Sequence, residues 1–318
     1  NFLYKVKVLK LNNQVAIVTG GALGIGGGVA RKLAREGSKV LIVDIAEEEA
    51  KKNKETIEEN GGIAEYLIGD VALESVAKEM VDLSVSLFGR LDIIVQNAYG
   101  GLGAGSAVDI NIKDWNKGLN LLVGALYLGA KYAVPAMEDS GVDSNFIPKQ
   151  WKGFGLRQGN PPKENIGRII NISSVHGILN APKSIVYETG KSAVIGMTRQ
   201  MAVDFGPLGI TVNAIAPGHI VTERGDDQWK KVGNKEGFRL FELQYPVRRT
   251  GTPQDVANMI SFLCSHEASF ITGQTIAVDG GLSVQLQEDL VMDLKNFIST
   301  NKNLRNHFDK EDKSRDRW

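Results

Sequence analysis

Short apolar runs alternate along most of the chain with longer stretches of helical periodicity. The apolar runs are rich in Val, Ile and Leu, which is typical of strands buried on both faces of a parallel sheet. They predict strands at residues 14–18, 39–43, 64–68, 91–95, 168–172, 211–215 and 275–278. Right-handed crossovers would place helices on both faces of the sheet. The expected fold is therefore α/β, a single doubly wound domain with a seven-stranded parallel sheet.

Three segments fall outside this alternation. Residues 1–12 form an N-terminal extension, residues 13–282 carry the alternating pattern, and residues 283–318 form a C-terminal extension with a helix and then a charge-rich tail. Residues 139–165 form an insert before the fifth strand. A helix that returns from a parallel strand ends at the amino edge, so we expect the insert at the surface opposite the ligand edge. The C-terminal helix either covers its own cleft or reaches a neighbouring subunit.

Net charge, cysteine content and the length of apolar runs limit the classes of protein to which the chain can belong. The 37 basic and 37 acidic residues cancel, so net charge does not indicate a nucleic acid or an anionic membrane as partner. A single cysteine, Cys264, excludes an intramolecular disulfide and favours a reducing, cytoplasmic compartment. No apolar run comes near the roughly 18 residues that a membrane span requires, and no cluster of ligands indicates a metal site.

A glycine loop lies between the first strand and the helix that follows it. Gly20, Gly24 and Gly26 alternate there with Leu23 and Ile25. Residues without a Cβ let the backbone approach a pyrophosphate, and the helix N-terminus offers free N–H groups and a partial positive charge. The alternative interpretation is a tight turn, but the position between strand and helix favours a nucleotide site in a Rossmann-type domain.

The second predicted strand is followed by Asp44 and Ile45. A carboxylate in this place can accept hydrogen bonds from an adenosine ribose and would repel a 2′-phosphate. Ile45 brings no guanidinium that would offset the repulsion. The pattern therefore predicts NAD rather than NADP, with capping of the helix at 46–60 as the alternative role for Asp44.

Candidate catalytic groups follow the fifth strand. Ser174 comes directly after it, and Tyr187 and Lys191 share one face of the next helix. Reduction of a carbonyl needs a proton donor at the oxygen, and an ammonium near a phenol lowers its pKa toward neutrality. A serine hydroxyl can hold the substrate oxygen. Alone, the Tyr/Lys pair is equally consistent with a solvated helix face.

Taken in order, these motifs make the chain resemble the short-chain dehydrogenase/reductase family over residues 13–281. The resemblance implies that Asp70 and Val71 hold the adenine and that Asn97 and Ala98 end the fourth strand beside the cofactor. It adds Asn120 to Ser174, Tyr187 and Lys191 as a catalytic tetrad. It also implies that a segment after the sixth strand contacts the nicotinamide carboxamide, through Pro217, Gly218, Ile220 and Thr222.

The mechanism that the resemblance implies gives each residue of the tetrad a role. Tyr187 exchanges the proton with the substrate oxygen while NAD exchanges the hydride. Lys191 bonds the ribose, Ser174 orients the oxygen, and Asn120 holds a water in a proton relay. The expected activity interconverts a secondary alcohol (polyol, sugar or hydroxy acid type) and its ketone, in a homotetramer or homodimer. A 3-oxoacyl carrier-protein reductase, a non-catalytic nucleotide-sensing protein and a lyase on the same fold are the alternatives.

Two positions depart from the family pattern. Tyr99 replaces the glycine usual after Asn97 and Ala98, so that a ring enters the cofactor or substrate space. Gly190 stands directly before Lys191 and indicates close packing of that helix. His176, two residues after Ser174, either bonds a substrate hydroxyl or is structural. These motifs do not identify the substrate.

Overall fold

A computed structural model describes residues 9–100, 104–142, 163–164, 166–223 and 235–300 of the chain. Seven parallel strands form one sheet in the order β3-β2-β1-β4-β5-β6-β7, which confirms the predicted architecture. The strand order reverses between β1 and β4, so a crevice opens at the carboxyl ends of these strands. The strands are β1 Val15–Thr19, β2 Lys39–Asp44, β3 Ile63–Ile68, β4 Ile93–Gln96, β5 Gly167–Ile172, β6 Ile210–Pro217 and β7 Thr275–Val278.

Helices cover both faces of the sheet. One face packs against α1, α2 and α8 through side chains such as Val29, Ile57 and Ile260. The other face packs against α3, α5 and α6 through side chains such as Met80 and Met137. The helices are α1 Gly24–Arg35, α2 Glu47–Glu59, α3 Glu74–Phe88, α4 Ile112–Leu119, α5 Ala125–Ser140, α6 Ile185–Phe205, α7 Lys235–Glu242, α8 Pro253–Cys264 and α9 Gln287–Thr300.

One helical stretch differs from the expectation that no segment could cross a membrane. Residues Ile112–Ser140 run continuously through α4, a π-helical turn and α5, and by length and composition alone this stretch would suffice for a span. Core helices of soluble proteins meet the same criteria. Here Ala133 and Met137 are fully buried in the core, so α5 packs against the sheet through these residues.

The flanks of the insert lie at the amino edge of the sheet. The Ser140 hydroxyl accepts a hydrogen bond from the Leu91 N–H at 2.9 Å, just ahead of β4. On the other side, the Ile166 N–H donates to the Gly209 carbonyl at 3.0 Å, just ahead of β6. This placement agrees with the predicted surface position, although most of the insert lies outside the described residues.

The C-terminal extension begins with the predicted helix, α9. Leu290 is 5% exposed, and Asp293 pairs with Arg248 at 3.0 Å, so α9 packs on the segment between α7 and α8. Residues 1–8 and the charge-rich tail at 301–318 lie outside the described part of the chain.

Candidate active site

The glycine loop is shaped by close contacts that exclude side chains. Gly20 has φ +62°, and a Cβ added to it would lie 2.8 Å from the Ala98 Cα. A Cβ on Gly26 would lie 2.0 Å from the Gly20 carbonyl oxygen, which no conformational adjustment of a side chain could relieve. Gly24 has φ +57°, and a Cβ added to it would lie 3.1 Å from the Thr222 Cγ2. The loop therefore needs glycine at all three positions for its own geometry, and α1 begins within it.

Asn97, directly after β4, is hydrogen-bonded to the residues at the start of this loop. Its amide nitrogen donates to the carbonyls of Thr19 at 3.1 Å and Gly20 at 3.0 Å. In return, the Thr19 hydroxyl accepts from the N–H groups of Asn97 at 3.0 Å and Ala98 at 3.2 Å. These bonds give Asn97 a supporting role under the loop, with Ala98 packed against Gly20.

Asp44 lies at the carboxyl end of β2, beside the loop. One carboxylate oxygen accepts from the Ala22 N–H at 3.0 Å. The other accepts from the N–H groups of Ile45 at 2.8 Å and Ala46 at 3.1 Å, directly ahead of α2. Asp44 thus touches the glycine loop and the two residues ahead of α2. The N-cap of α2 is Ala46, with no side-chain cap, so the alternative role of Asp44 as a helix cap is wrong. The Ile45 side chain is 73% exposed.

The predicted adenine pair lies after β3. Val71 is 5% exposed and packs in the core. Asp70 is exposed, and its carboxylate accepts from the Ala72 N–H at 2.9 Å. The Asp70 side chain is therefore exposed in this turn, whereas the Val71 side chain is buried.

The segment after β6 crosses the glycine loop. Pro217 ends β6, the Gly218 N–H donates to the Val278 carbonyl at 3.1 Å, and Ile220 forms a bridge with Gly251. Thr222 then lies over Gly24. Of the four residues predicted for the cofactor, Thr222 lies against the glycine loop, whereas Pro217 and Gly218 pair with Val278 and Ile220 pairs with Gly251.

Sequence reasoning missed Glu223, which follows Thr222. Its carboxylate accepts from the Gly24 N–H at 2.9 Å and lies 3.7 Å from the Arg31 guanidinium. Gly24 is the first residue of α1, where the helix dipole favours a negative charge. The carboxylate therefore occupies the place where the glycine loop would bind an anionic oxygen of a ligand. An acidic residue beside Thr222 was the only signal in the sequence.

Ser174, Tyr187 and Lys191 are brought together at the end of β5. The Ser174 hydroxyl lies near enough to the Tyr187 phenol to lower its pKa by hydrogen bonding to the phenolate. The Lys191 ammonium lies 5.7 Å from the centre of the Tyr187 ring and donates to the Ile172 carbonyl at 2.7 Å. A hydroxyl, a phenol and an amine therefore meet at one point of the sheet edge.

Burial governs the titration of this group. The Lys191 side chain is inside the protein, and loss of hydration lowers its pKa from 10.5 to about 8. Burial also raises the pKa of Tyr187, and the hydrogen bond from Ser174 opposes this shift. The direction for Tyr187 is opposite to the one expected from the sequence. The physical reason is that desolvation of the phenolate outweighs the stabilisation that its neighbours provide.

Asn120 begins the π-helical turn between α4 and α5. Its side-chain amide donates to the Ala72 carbonyl at 3.3 Å, in the loop after β3. The turn is pressed against α6, because a Cβ on Gly190 would lie 2.4 Å from a methyl group of Leu122. Gly190 is thus explained by the contact that brings the Asn120 turn beside the helix of Tyr187 and Lys191.

Two further rings flank Tyr187. The Tyr99 ring lies 5.3 Å from the Tyr187 ring, centre to centre, in an edge-on arrangement, and is 57% exposed. The His176 ring lies 5.4 Å from Tyr187 with a similar geometry. Tyr99 therefore enters the space beside the Tyr187 phenol, and Tyr99 and His176 both border the Tyr187 ring.

Family comparisons agree with this geometry. Residues 14–144 match the family model described as short chain dehydrogenase. Residues 156–283 match the model described as enoyl-(acyl carrier protein) reductase. The two matches together span the sheet and both halves of the site.

Similar proteins with assigned names are dehydrogenases. The chain is 34% identical to an uncharacterized oxidoreductase of Thermotoga maritima, over 86% of this chain and 98% of that protein. It is 31% identical to glucose 1-dehydrogenase 2 of Bacillus subtilis (86% and 96%) and 33% identical to trans-4-hydroxycyclohexanecarboxylate dehydrogenase of Sinomonas cyclohexanicum (86% and 93%). The chain is therefore an oxidoreductase acting on CH–OH groups and belongs to the short-chain dehydrogenase/reductase family.

Proposed function

We propose that this protein is an NAD(H)-dependent oxidoreductase that interconverts a secondary alcohol and its ketone, with Tyr187 as the proton donor and acceptor. The observation that carries the proposal is the shared edge of the sheet. The glycine loop at the end of β1 and the Ser174, Tyr187 and Lys191 group at the end of β5 open into the same crevice. A nucleotide bound at the first would present its reactive ring near the second.

The residues present fit a dinucleotide. A Cβ added at Gly20, Gly24 or Gly26 would crowd neighbouring atoms, and Glu223 already places a carboxylate oxygen 2.9 Å from the Gly24 N–H. That bond supports an anion site at this helix N-terminus. When bound, the nicotinamide would supply the hydride acceptor or donor. The proposed set of contacts comprises Gly20, Leu23, Gly24, Ile25, Gly26, Asp44, Ile45, Asp70, Val71, Asn97, Ala98, Tyr187, Lys191, Pro217, Gly218, Ile220 and Thr222.

Asp44 supports NAD as the cofactor. Its carboxylate is fixed at the end of β2 by bonds from Ala22, Ile45 and Ala46. A negative charge held there would repel the 2′-phosphate of NADP, and the neighbouring Ile45 cannot neutralise it. The same carboxylate could accept hydrogen bonds from the ribose diol of NAD.

The side chains around Tyr187 define the proton chemistry. Because burial raises its pKa, Tyr187 is a protonated phenol at neutral pH and can donate to a ketone oxygen. Below a pH of about 8, Lys191 carries a positive charge that would stabilise the phenolate left behind. The Ser174 hydroxyl, near the phenol, would hold the substrate oxygen. We assign to Asn120 the support of a proton relay, as in the family.

Polyols, sugars and hydroxy acids are the proposed substrate class. The names of two relatives, a glucose dehydrogenase and a hydroxycyclohexanecarboxylate dehydrogenase, support small hydroxylated molecules. A 3-oxoacyl carrier-protein reductase is the second candidate, favoured by the description of the family model that matches residues 156–283. Asp44 is evidence against this candidate, because a 3-oxoacyl carrier-protein reductase would be expected to use NADPH. We propose a cytoplasmic homotetramer or homodimer.

The decisive experiment is an assay of secondary alcohols, polyols, sugars and hydroxy acids with NAD and with NADP at alkaline pH. We expect NADH formation with at least one compound and a higher kcat/KM with NAD. Asp44→Ser should narrow the difference between the cofactors, while Asp70→Ser serves as a matched loss of an exposed carboxylate at the same edge. A higher kcat/KM with NADP would contradict the cofactor assignment.

A further inference from the structure

A buried carboxylate is paired with the histidine that borders Tyr187. Glu188 follows Tyr187 on α6 and is only 7% exposed. One of its carboxylate oxygens lies 2.7 Å from the His176 Nδ1 and also accepts from the Ala181 N–H at 3.0 Å. The other oxygen is buried without a hydrogen-bond partner among the described residues. A charged side chain is thus kept inside the protein to hold one imidazole.

The pairing defines which nitrogen of His176 is available. A carboxylate only accepts hydrogen bonds, so the proton must be on Nδ1. In neutral His176, the other nitrogen, Nε2, is then an acceptor, and in the imidazolium it is a donor. His176 Nε2 has no hydrogen-bond partner within the described part of the chain, and the side chain is 39% exposed. The pair therefore leaves His176 Nε2 as a polar atom whose role as donor or acceptor is defined and which is not used within the pair.

The imidazole ring that carries this atom lies beside the Tyr187 ring. The His176 ring stands 5.4 Å from the Tyr187 ring, and its backbone N–H donates to the Ser174 hydroxyl oxygen at 3.2 Å. Resting on the proposed function, we propose that His176 is a specificity-determining residue, whose Nε2 binds a hydroxyl on the carbon next to the reacting carbon. The preferred substrate class is then a vicinal diol and its α-hydroxyketone.

A hydroxyl fits this atom better than a carboxylate. A hydroxyl can donate to neutral Nε2 and accept from the protonated form, so it is matched in both states of His176. The His176 and Glu188 pair carries a net charge of zero or minus one, so it offers an anionic group no excess positive charge. The two oxygens of a vicinal diol are separated by about one hydrogen-bond length, which suits neighbouring Tyr187 and His176 side chains.

A purely structural role of His176 would require a different nitrogen of the same imidazole ring. The bonds of Glu188 to His176 and to the Ala181 N–H tie the segment after β5 to α6, and this role uses only Nδ1. His176→Asn places an amide near the Nδ1 position and removes Nε2. His176→Gln places an amide near the Nε2 position and removes the bond to Glu188. The two variants therefore separate substrate recognition from support of the loop.

The test uses the full chain carrying Tyr187→Phe, loaded with NADH, so that binding is measured without turnover. Calorimetric titrations compare cyclohexanone with 2-hydroxycyclohexanone. We expect the hydroxyketone to bind about 10-fold more tightly, as one hydrogen bond to a charged or polarised partner provides. Adding His176→Asn should reduce this ratio to below about 2-fold, whereas His176→Gln should keep it above about 3-fold.

Each other result overturns the inference. Equal affinities for the two ketones, or no binding of either to the NADH complex, would show that Nε2 does not recognise the added hydroxyl. A ratio that survives in His176→Asn and is lost in His176→Gln would leave His176 a structural role only. Titration of NADH comes first and keeps the proposals separate. Absence of NADH binding would overturn the proposed function and this inference together, whereas NADH binding with equal ketone affinities would overturn this inference alone.

In parallel, wild-type kcat/KM with NAD is measured for cyclohexanol and for cis- and trans-1,2-cyclohexanediol. We expect at least one diol to exceed cyclohexanol about 10-fold, with the preference lost in His176→Asn. A wild-type enzyme that oxidises cyclohexanol at least as well as both diols would contradict the assignment while supporting the proposed dehydrogenase activity.

Discussion

The two halves of the crevice are built on different principles. On the nucleotide side, around β1 and β2, the carboxylates of Asp44 and Glu223 accept hydrogen bonds from backbone N–H groups, and glycines let the backbone close on itself. On the catalytic side, around β5 and α6, buried side chains meet one another, and burial shifts the pKa values of Tyr187 and Lys191. The nucleotide side is thus shaped by backbone geometry and exposed or half-buried carboxylates, whereas the catalytic side is built from buried titratable groups.

Tyr187→Phe should separate the two halves most clearly. The substitution removes the phenol oxygen and keeps the ring contacts with Tyr99 and His176. We expect kcat to fall about 10³-fold, because general acid catalysis typically contributes 10² to 10⁴. NADH affinity, measured by fluorescence titration, should remain within about 3-fold of wild type, since the glycine loop is untouched. Retention of more than about one hundredth of kcat would contradict the proton role.

Gly26→Ala should have the reverse effect. The new Cβ would lie 2.0 Å from the Gly20 carbonyl oxygen, so the loop must shift. Overpacking of this kind costs about 1–3 kcal/mol, and we expect NADH affinity to fall about 10- to 100-fold. Gly196→Ala is the matched control, since no atom lies within 4 Å of its added Cβ in α6. Unchanged NADH affinity in Gly26→Ala would refute the loop as cofactor site.

The pH dependence of ketone reduction should report the catalytic half. Lys191 has its pKa lowered to about 8 by burial, so its positive charge is present below that pH and lost above it. Since the charge stabilises the phenolate of Tyr187, kcat/KM should decline above pH 8 by about 10-fold per unit. A profile that stays level to pH 10 would show that the charge on Lys191 is not required.

Glu223→Gln should sharpen the description of the nucleotide half. The Glu223 carboxylate accepts from the Gly24 N–H and would compete with the phosphate oxygens of the cofactor. Removing its charge should tighten NADH binding about 2- to 5-fold, the usual worth of a charge at a helix N-terminus. Glu267→Gln, which removes an equal charge from the ion pair with Lys10, is the control. Weaker NADH binding in Glu223→Gln would show that the carboxylate assists the cofactor.

The smallest expected effect is on stability and concerns the N-terminus of α8, the helix that packs against α1. Asp255 completes a capping box with Thr252 and bonds Arg249, and its pKa is lowered to about 2, mainly by the Arg249 hydrogen bond. Asp255→Asn should cost about 1 kcal/mol of unfolding free energy at pH 7. Because the pKa of Asp255 is lower in the folded protein, its charge stabilises the fold at a pH above the unfolded pKa, and this stabilisation is lost as the pH falls to about 2. The unfolding free energies of the two proteins should therefore become equal in acid. Urea titrations at pH 7 and at about pH 2 measure the difference in unfolding free energy between the two proteins, and a difference that is undiminished at the lower pH would contradict this expectation.

Patterns in the sequence were sufficient for the architecture. Each of the seven predicted strands matches an observed strand within two residues, because buried parallel strands must be apolar throughout. The glycine loop, Ser174, Tyr187 and Lys191 were identified because their spacing relative to strands and helices is local. The family and the oxidoreductase class are confirmed, whereas NAD, the substrate and the oligomeric state stay proposals.

The contacts around these residues could not be read from the pattern. Gly28 leaves room for Pro253 at the start of α8, because a Cβ added to Gly28 would lie 2.6 Å from the Pro253 Cβ. Gly190 is required by Leu122, on another helix. Glu223 and Glu188 looked like ordinary surface charges. Each of these depends on a partner that is distant along the chain and becomes a neighbour only when the sheet is assembled.

The sequence by itself determined the order of strands and helices, the glycine loop, and the phenol and amine on one helix face, because each is a short-range pattern with a fixed period or spacing. Only the tertiary structure decided that Lys191 is desolvated, that Tyr187 has a raised pKa, that Asn97 supports the loop, and that His176 is held by a buried Glu188. Burial and long-range contacts set these properties, since the dielectric around a side chain depends on every element packed against it.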